Sequence, residues 1–127
     1  MTAAVHTMIA GDKRVVLNVR AVGTGDSDTV LLDISTLTGV NGAAAPTKIS
    51  IEDIWWSVDG FDYAVLEFDR TTDYVIDYFK GQGYIDYKPS GGKVDKGTGQ
   101  TGDLLLTTSG GAATSTVTML ISVKLKY

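Results

Sequence analysis

From Thr116 to Tyr127 apolar and polar residues alternate with a period of two. Val117, Met119, Ile121, Val123, Leu125 and Tyr127 interleave with Thr116, Thr118, Leu120, Ser122, Lys124 and Lys126. Successive strand side chains point to opposite faces, so the first set forms one apolar face and the second a mostly polar one. A helix would scatter the first set around its circumference. The β-branched content agrees with a strand. Twelve such residues span roughly 40 Å at about 3.3 Å each, longer than a usual sandwich strand. The expectation is a core strand whose last residues project toward a neighbouring subunit, with Tyr127 as an anchor.

The same period recurs upstream. Val15, Leu17, Val19 and Ala21 alternate with Arg14, Val16, Asn18 and Arg20. Gly11-Asp12 reads as a turn, making Val5 to Ala10 the hairpin partner of this strand. Gly23 to Asp26 is a second turn, followed by a short strand from Thr29 to Asp33. Ile34 to Thr47, with Gly39, Asn41-Gly42, three alanines and Pro46, reads as a connecting loop. In Lys48 to Ser57 the apolar parity switches, from Ile49 and Ile51 to Ile54 and Trp56. A β-bulge near Glu52-Asp53 accounts for that, because one extra residue re-aims all that follow. Asp59-Gly60 reads as a tight hairpin turn leading into Phe61 to Asp69, apolar on both faces as an inner strand is. Tyr74 to Phe79, a Gly81-Gln82-Gly83 turn and Tyr84 to Tyr87 follow. Lys88 to Gly102 is glycine-rich and loop-like. Leu104 to Thr108 is a strand, and Ser109-Gly110-Gly111 opens the turn before the last one. The fold class is therefore all-β: a sandwich or partly closed barrel of about eight to nine mostly antiparallel strands with two long loops. At 127 residues it forms one domain, 1–127.

Composition excludes several kinds of function. With 43% hydrophobic and 20% charged residues the chain has a globular balance. It contains no cysteine, which rules out disulfides, thiolate zinc sites and cysteine nucleophiles and suits a reducing cytoplasm. The net charge is −4 and the eleven Lys and Arg are scattered, so neither direct nucleic-acid binding nor adhesion to an anionic membrane is expected. Met1 to Ala10 does not read as a signal peptide, and no apolar stretch approaches the roughly 18 residues of a membrane span. The expectation is a soluble protein made in the cytoplasm.

The motifs are weak when their context is read. Gly97-Thr98-Gly99-Gln100-Thr101-Gly102 spells G-x-G-x-x-G, yet lacks the preceding buried strand and following helix of a dinucleotide site. Gly91-Gly92-Lys93 lacks the phosphate-loop spacing. His6, the only histidine, has no G-x-S-x-G or H-E-x-x-H companion and reads as a strand-face residue. Asp26 with Asp28, and Asp59 with Asp62, are spaced to share a Ca²⁺ but sit where Asp serves as a turn residue. Nothing singles out Glu52 and Glu67 as a glycosidase pair. No catalytic residue, cofactor or metal is assigned, and the reading is non-enzymatic.

The aromatic residues carry more information. Trp55 and Trp56 are adjacent on a strand and face opposite ways, so both cannot enter one core. Tyr63, Tyr74, Tyr78, Tyr84 and Tyr87 lie in the same third of the chain. Either one tryptophan is core and the other packs beneath a loop, or the outer one anchors a partner. A carbohydrate platform would use the same residues. The interface candidates are Trp55, Trp56, Tyr84, Tyr87 and Tyr127.

Several stretches, in order along most of the chain, resemble a family of small tailed-bacteriophage virion proteins. They are Gly11-Asp12-Lys13-Arg14-Val15-Val16, Pro46-Thr47-Lys48-Ile49-Ser50-Ile51 and Ile54-Trp55-Trp56. Gly83-Tyr84-Ile85-Asp86-Tyr87, Thr101-Gly102-Asp103-Leu104-Leu105-Leu106-Thr107-Thr108 and the closing Thr-rich strand follow. The resemblance implies a structural virion component, preferentially a capsid decoration (cement) protein that stabilises the shell. It implies the major capsid protein and further copies of itself as partners, a homo-oligomer, and a place on the capsid surface. The termini and the two long loops would then make the capsid contacts. A head–tail connector or tail component, and a carbohydrate-binding β-sandwich module, are the alternatives.

Overall fold

The computed structural model describes residues 2–10, 13–25, 27–34, 48–70, 72–94 and 103–126. Among them are ten strands: β1 (Thr2–Ala10), β2 (Arg14–Val22), β3 (Thr29–Leu32), β4 (Lys48–Asp59), β5 (Tyr63–Phe68), β6 (Tyr74–Phe79), β7 (Gly81–Asp86), β8 (Lys93–Val94), β9 (Leu104–Ser109) and β10 (Thr116–Lys126). A 3₁₀ turn spans Lys88–Ser90. The alternation at the end of the chain is strand β10, and it lies in the middle of a sheet. The large sheet has the order β1-β2-β10-β4-β7, with β8 pairing β4 as well, and the small sheet the order β3-β9-β5-β6. Every pairing is antiparallel. The architecture is a sandwich, not a closed barrel.

The core lies between the sheets. Val15, Leu17, Val19 and Ala21 of β2, and Val117, Met119, Ile121, Val123 and Leu125 of β10, are buried on one side. Leu66, Phe68, Phe79, Leu104 and Leu106 of the small sheet meet them. The parity switch in β4 is a bulge: Ser122 pairs Asp53 while Val123 pairs Ile51, leaving Glu52 as the extra residue. Its carbonyl accepts the Tyr87 N–H at 2.8 Å. Its carboxylate is gripped by Arg14, reaching over from β2, through Nε (2.8 Å) and Nη2 (3.1 Å).

Several of the expected turns connect different sheets. Asp59-Gly60 does not close a hairpin, because β4 belongs to the large sheet and β5 to the small one. Gly60 takes φ +83° there, and a β-carbon on it would strike Ser115. Likewise β7 begins at Gly81, so the expected Gly81-Gln82-Gly83 turn is already strand, and the crossing from β6 is made at Lys80. Alternation on either side of a turn looks the same whether the chain doubles back in one sheet or steps across to the other. Six connections, β2–β3, β3–β4, β4–β5, β6–β7, β8–β9 and β9–β10, pass from one sheet to the other. The expected loop Ile34 to Thr47 lies, after Ile34, outside the described residues.

Candidate binding face

Antiparallel register aligns side chains on the large sheet's outer face, away from the core. One row crosses all five strands of the main path: His6 pairs Asn18, Asn18 pairs Leu120, Leu120 pairs Trp55 and Trp55 pairs Tyr84. Leu120, Trp55 and Tyr84 are 37%, 45% and 56% exposed. Directly opposed residues on neighbouring strands stand about 5 Å apart, so the three form a continuous apolar stripe. The next row is polar, with Arg20, Thr118, Ser57 and Gln82 in successive strands. Ala4, His6, Asn18 and Arg20 line a shallow recess at the β1 end of the stripe.

At the other end stands a charged rim. Lys88 Nζ lies 3.3 Å from Asp53 Oδ2 and 4.0 Å from Asp86 Oδ1. Asp86 Oδ1 also accepts the Lys88 N–H at 2.9 Å, which fixes the turn following β7. The hydrogen bond to Asp53, and then the charge of Asp86, raise the Lys88 pKa above its usual value. Desolvation and the same two carboxylates raise that of Tyr84. Tyr84 thus presents its hydroxyl beside an ion-pair cluster.

The sequence candidates separate. Trp55 and Tyr84 share the outer face. Trp56 points inward and is half-buried, with its ring centroid 4.8 Å from that of Phe79 and its Nε1–H donating to the Lys80 carbonyl at 3.3 Å. Gly83, directly opposite in the register, leaves room for its indole. Tyr87 is half-buried against the core, and its hydroxyl donates to Asp77 Oδ2 at 3.2 Å. Burial, and then the Asp77 carboxylate, push the Tyr87 hydroxyl far above its ordinary pKa. Tyr127 lies outside the described residues. His6 is exposed on a strand, as its lone occurrence suggested. Leu120 and Asn18 escaped sequence reasoning, although Leu120 is the one apolar member of the polar set in β10.

The acidic residues regroup too. Asp26 lies outside the described residues, and Asp28 meets Glu67 and Asp73, with ligand atoms all within 4.8 Å of one another. The Thr107 hydroxyl donates to Glu67 Oε1 at 2.9 Å and accepts the Asp28 N–H at 3.0 Å. Burial raises the Glu67 pKa above 4.5, and Asp28 and Asp73 add to the shift against the Thr107 hydrogen bond. Three such carboxylates could share a divalent cation, though exposed acidic groups of this kind also occur without one. Glu52 and Glu67 lie in different sheets. Of the Gly97–Gly102 motif, nothing lies within the described residues, and a strand, not a helix, follows it at Leu104. No protein-family model matches this sequence, and neither a curated protein nor a solved structure matches it.

Proposed function

We propose that this protein is a non-enzymatic structural component of a bacteriophage particle, a capsid decoration (cement) protein that binds the major capsid shell. The observation that carries this reading is the outer-face stripe of Leu120, Trp55 and Tyr84, set in a polar sheet and bounded by the Asp53–Lys88–Asp86 cluster. A flat stripe of aromatic and aliphatic side chains with a polar rim has the composition of a macromolecular contact: rigid rings supply desolvated area at low entropic cost, and the rim excludes water. The sequence resemblance supplies the particle. In this reading the protein is made in the host cytoplasm, assembles as several copies on the capsid surface, and touches neither nucleic acid nor membrane.

The test is its abundance in purified virions, by quantitative mass spectrometry against the major capsid protein. Decoration requires multicopy presence on the head, with Trp55→Ala lowering occupancy while leaving the fold intact. A handful of copies per particle would point instead to a connector or tail component, and absence from particles would refute the virion reading. A second reading, a carbohydrate-binding module, is favoured by one observation: Trp55 and Tyr84 are exposed side by side, and aromatic faces stack on sugar C–H groups. Glycan-array binding lost in both Trp55→Ala and Tyr84→Ala would establish it, and a blank array with folded protein would discard it.

A further inference from the structure

Among the described residues, strand β1 is a lightly guarded edge. It is nine residues long, Thr2–Ala10, and its sequence TAAVHTMIA contains no Asp, Glu, Lys, Arg, Pro or Gly. Among the described residues it pairs only with β2, so its other side offers an open row of backbone N–H and C=O groups. Sheet edges normally carry some device against pairing with another chain, such as brevity, charge, proline or irregularity. The other edge strands, β3, β6, β7 and the two-residue β8, have one. Strand β3 is four residues long; β6 carries Asp77 and a register break between Leu66 and Glu67 of its partner; β7 carries two glycines and Asp86. The irregularity in β1, between Thr7 and Ile9, leaves Thr2 to Thr7 in unbroken register.

A second observation concerns the face of β1. Val5 pairs Val19, which is fully buried, so Val5 is on the core side of the sheet. Yet Val5 is 37% exposed. The cover over the core side therefore runs out between β2, where Val19 is fully buried, and β1. The large sheet overhangs, leaving a core-side valine uncovered beside a free hydrogen-bonding edge.

We propose that β1 is a homodimerisation strand, pairing antiparallel with β1 of a second copy about a two-fold axis perpendicular to the sheet. The occupant is a second copy because antiparallel pairing about a two-fold is self-complementary: one strand supplies both halves of the ladder. The axis also puts both small sheets on the same side of a continuous large sheet, running from β7 of one copy to β7 of the other. The two overhangs then meet, and each Val5 gains cover from the partner's core-side residues. The outer-face stripes of the two copies then lie on the same face of that sheet, separated by β1 and β2 of each copy. The dimer rests on the edge and overhang alone, whether or not the protein belongs to a virion.

Sedimentation velocity on the full chain over roughly a hundredfold range of concentration tests this. A reversible monomer–dimer equilibrium is expected, with Thr2 to Ala10 amides exchanging hydrogen more slowly as concentration rises. Val5→Lys places a charge on the core side of the edge, where it can reach solvent from the overhang, and should weaken the dimer at least about tenfold. If that variant does not fold, Ala4→Lys makes the same test from the outer face, where Ala4 is exposed. Three results would overturn the proposal: a monomer throughout the range, a dimer unaffected in a folded lysine variant, or assembly beyond the dimer through this strand.

Discussion

Replacing Gly83 by alanine should destabilise the protein through one neighbour, Trp56. A β-carbon at Gly83 would lie 2.8 Å from Trp56 Cη2 and 3.0 Å from Cε2, and closer still to Cζ2, against 3.4 Å or more in ordinary contact. The indole must therefore retreat by over half an ångström. It has little room, because Phe79 stands 4.8 Å away, centroid to centroid, and the Nε1–H bond to Lys80 is already long at 3.3 Å. Overpacking of this kind costs about 1–3 kcal/mol, and a weakened hydrogen bond adds part of about 1 kcal/mol. Against it stands about 0.4–1 kcal/mol from the alanine's less flexible unfolded state, since Gly83 does not need a left-handed backbone. The expected net loss is about 1–2 kcal/mol, or a melting temperature lower by roughly 4–8 °C. Urea titration followed by tryptophan fluorescence reads it. In a Trp56→Phe background, which lacks the outer indole ring, the same substitution should cost almost nothing. The cycle should therefore show a coupling of about 1 kcal/mol or more. An equal cost in both backgrounds, or a more stable Gly83→Ala protein, would refute this account of the Gly83–Trp56 pair.

Three further predictions concern polar groups. Arg14→Ala leaves Glu52 without its partner; because Arg14 is half-exposed while Glu52 is not, the loss should be about 1–2 kcal/mol, between the values for surface and buried pairs. Arg14→Lys should recover only part of this in denaturant titrations, since a lysine cannot form the two-pronged contact. Glu67→Gln should raise stability at neutral pH. Its folded pKa lies above 4.5, so ionisation costs the native state, and the wild type regains that stability as pH falls through the folded pKa toward 4.5. The gap between the two proteins should close over that window in urea titrations at stepped pH. Tyr87→Phe deletes the hydrogen bond to Asp77 and should cost about 0.5–1.5 kcal/mol by thermal melting, without altering binding at the outer face.

The β class, the bulge at Glu52 and the strand from Thr116 were legible in the sequence, because alternation directly records which face each side chain takes. Partner choice was not. The residues around Asp59-Gly60 satisfy a hairpin and a sheet crossing equally, and only the strand pairing, β4 with β10 and β7 but β5 with β6 and β9, distinguishes them. The outer-face stripe was half visible: Trp55 had to oppose Trp56, but Leu120 and Tyr84 join it only through the register of β4 with β10 and β7. The acidic cluster left no local trace, since Asp28, Glu67 and Asp73 come from three separate segments. Its members are close in space because β5 lies between β9 and β6.

The position of β10 has a kinetic consequence. The last strand in chain order is inserted between β2 and β4, which pair with it and not with each other. Until β10 arrives, the large sheet is two separate pieces, and β2 and β4 each present a bare apolar strand edge. Local hairpins such as β1–β2 and β5–β6 can close early, but the step joining the halves requires contacts between distant parts of the chain and is intrinsically slow. A nascent chain on the ribosome would therefore stay incomplete and prone to misassociation until residues 116 to 126 have emerged.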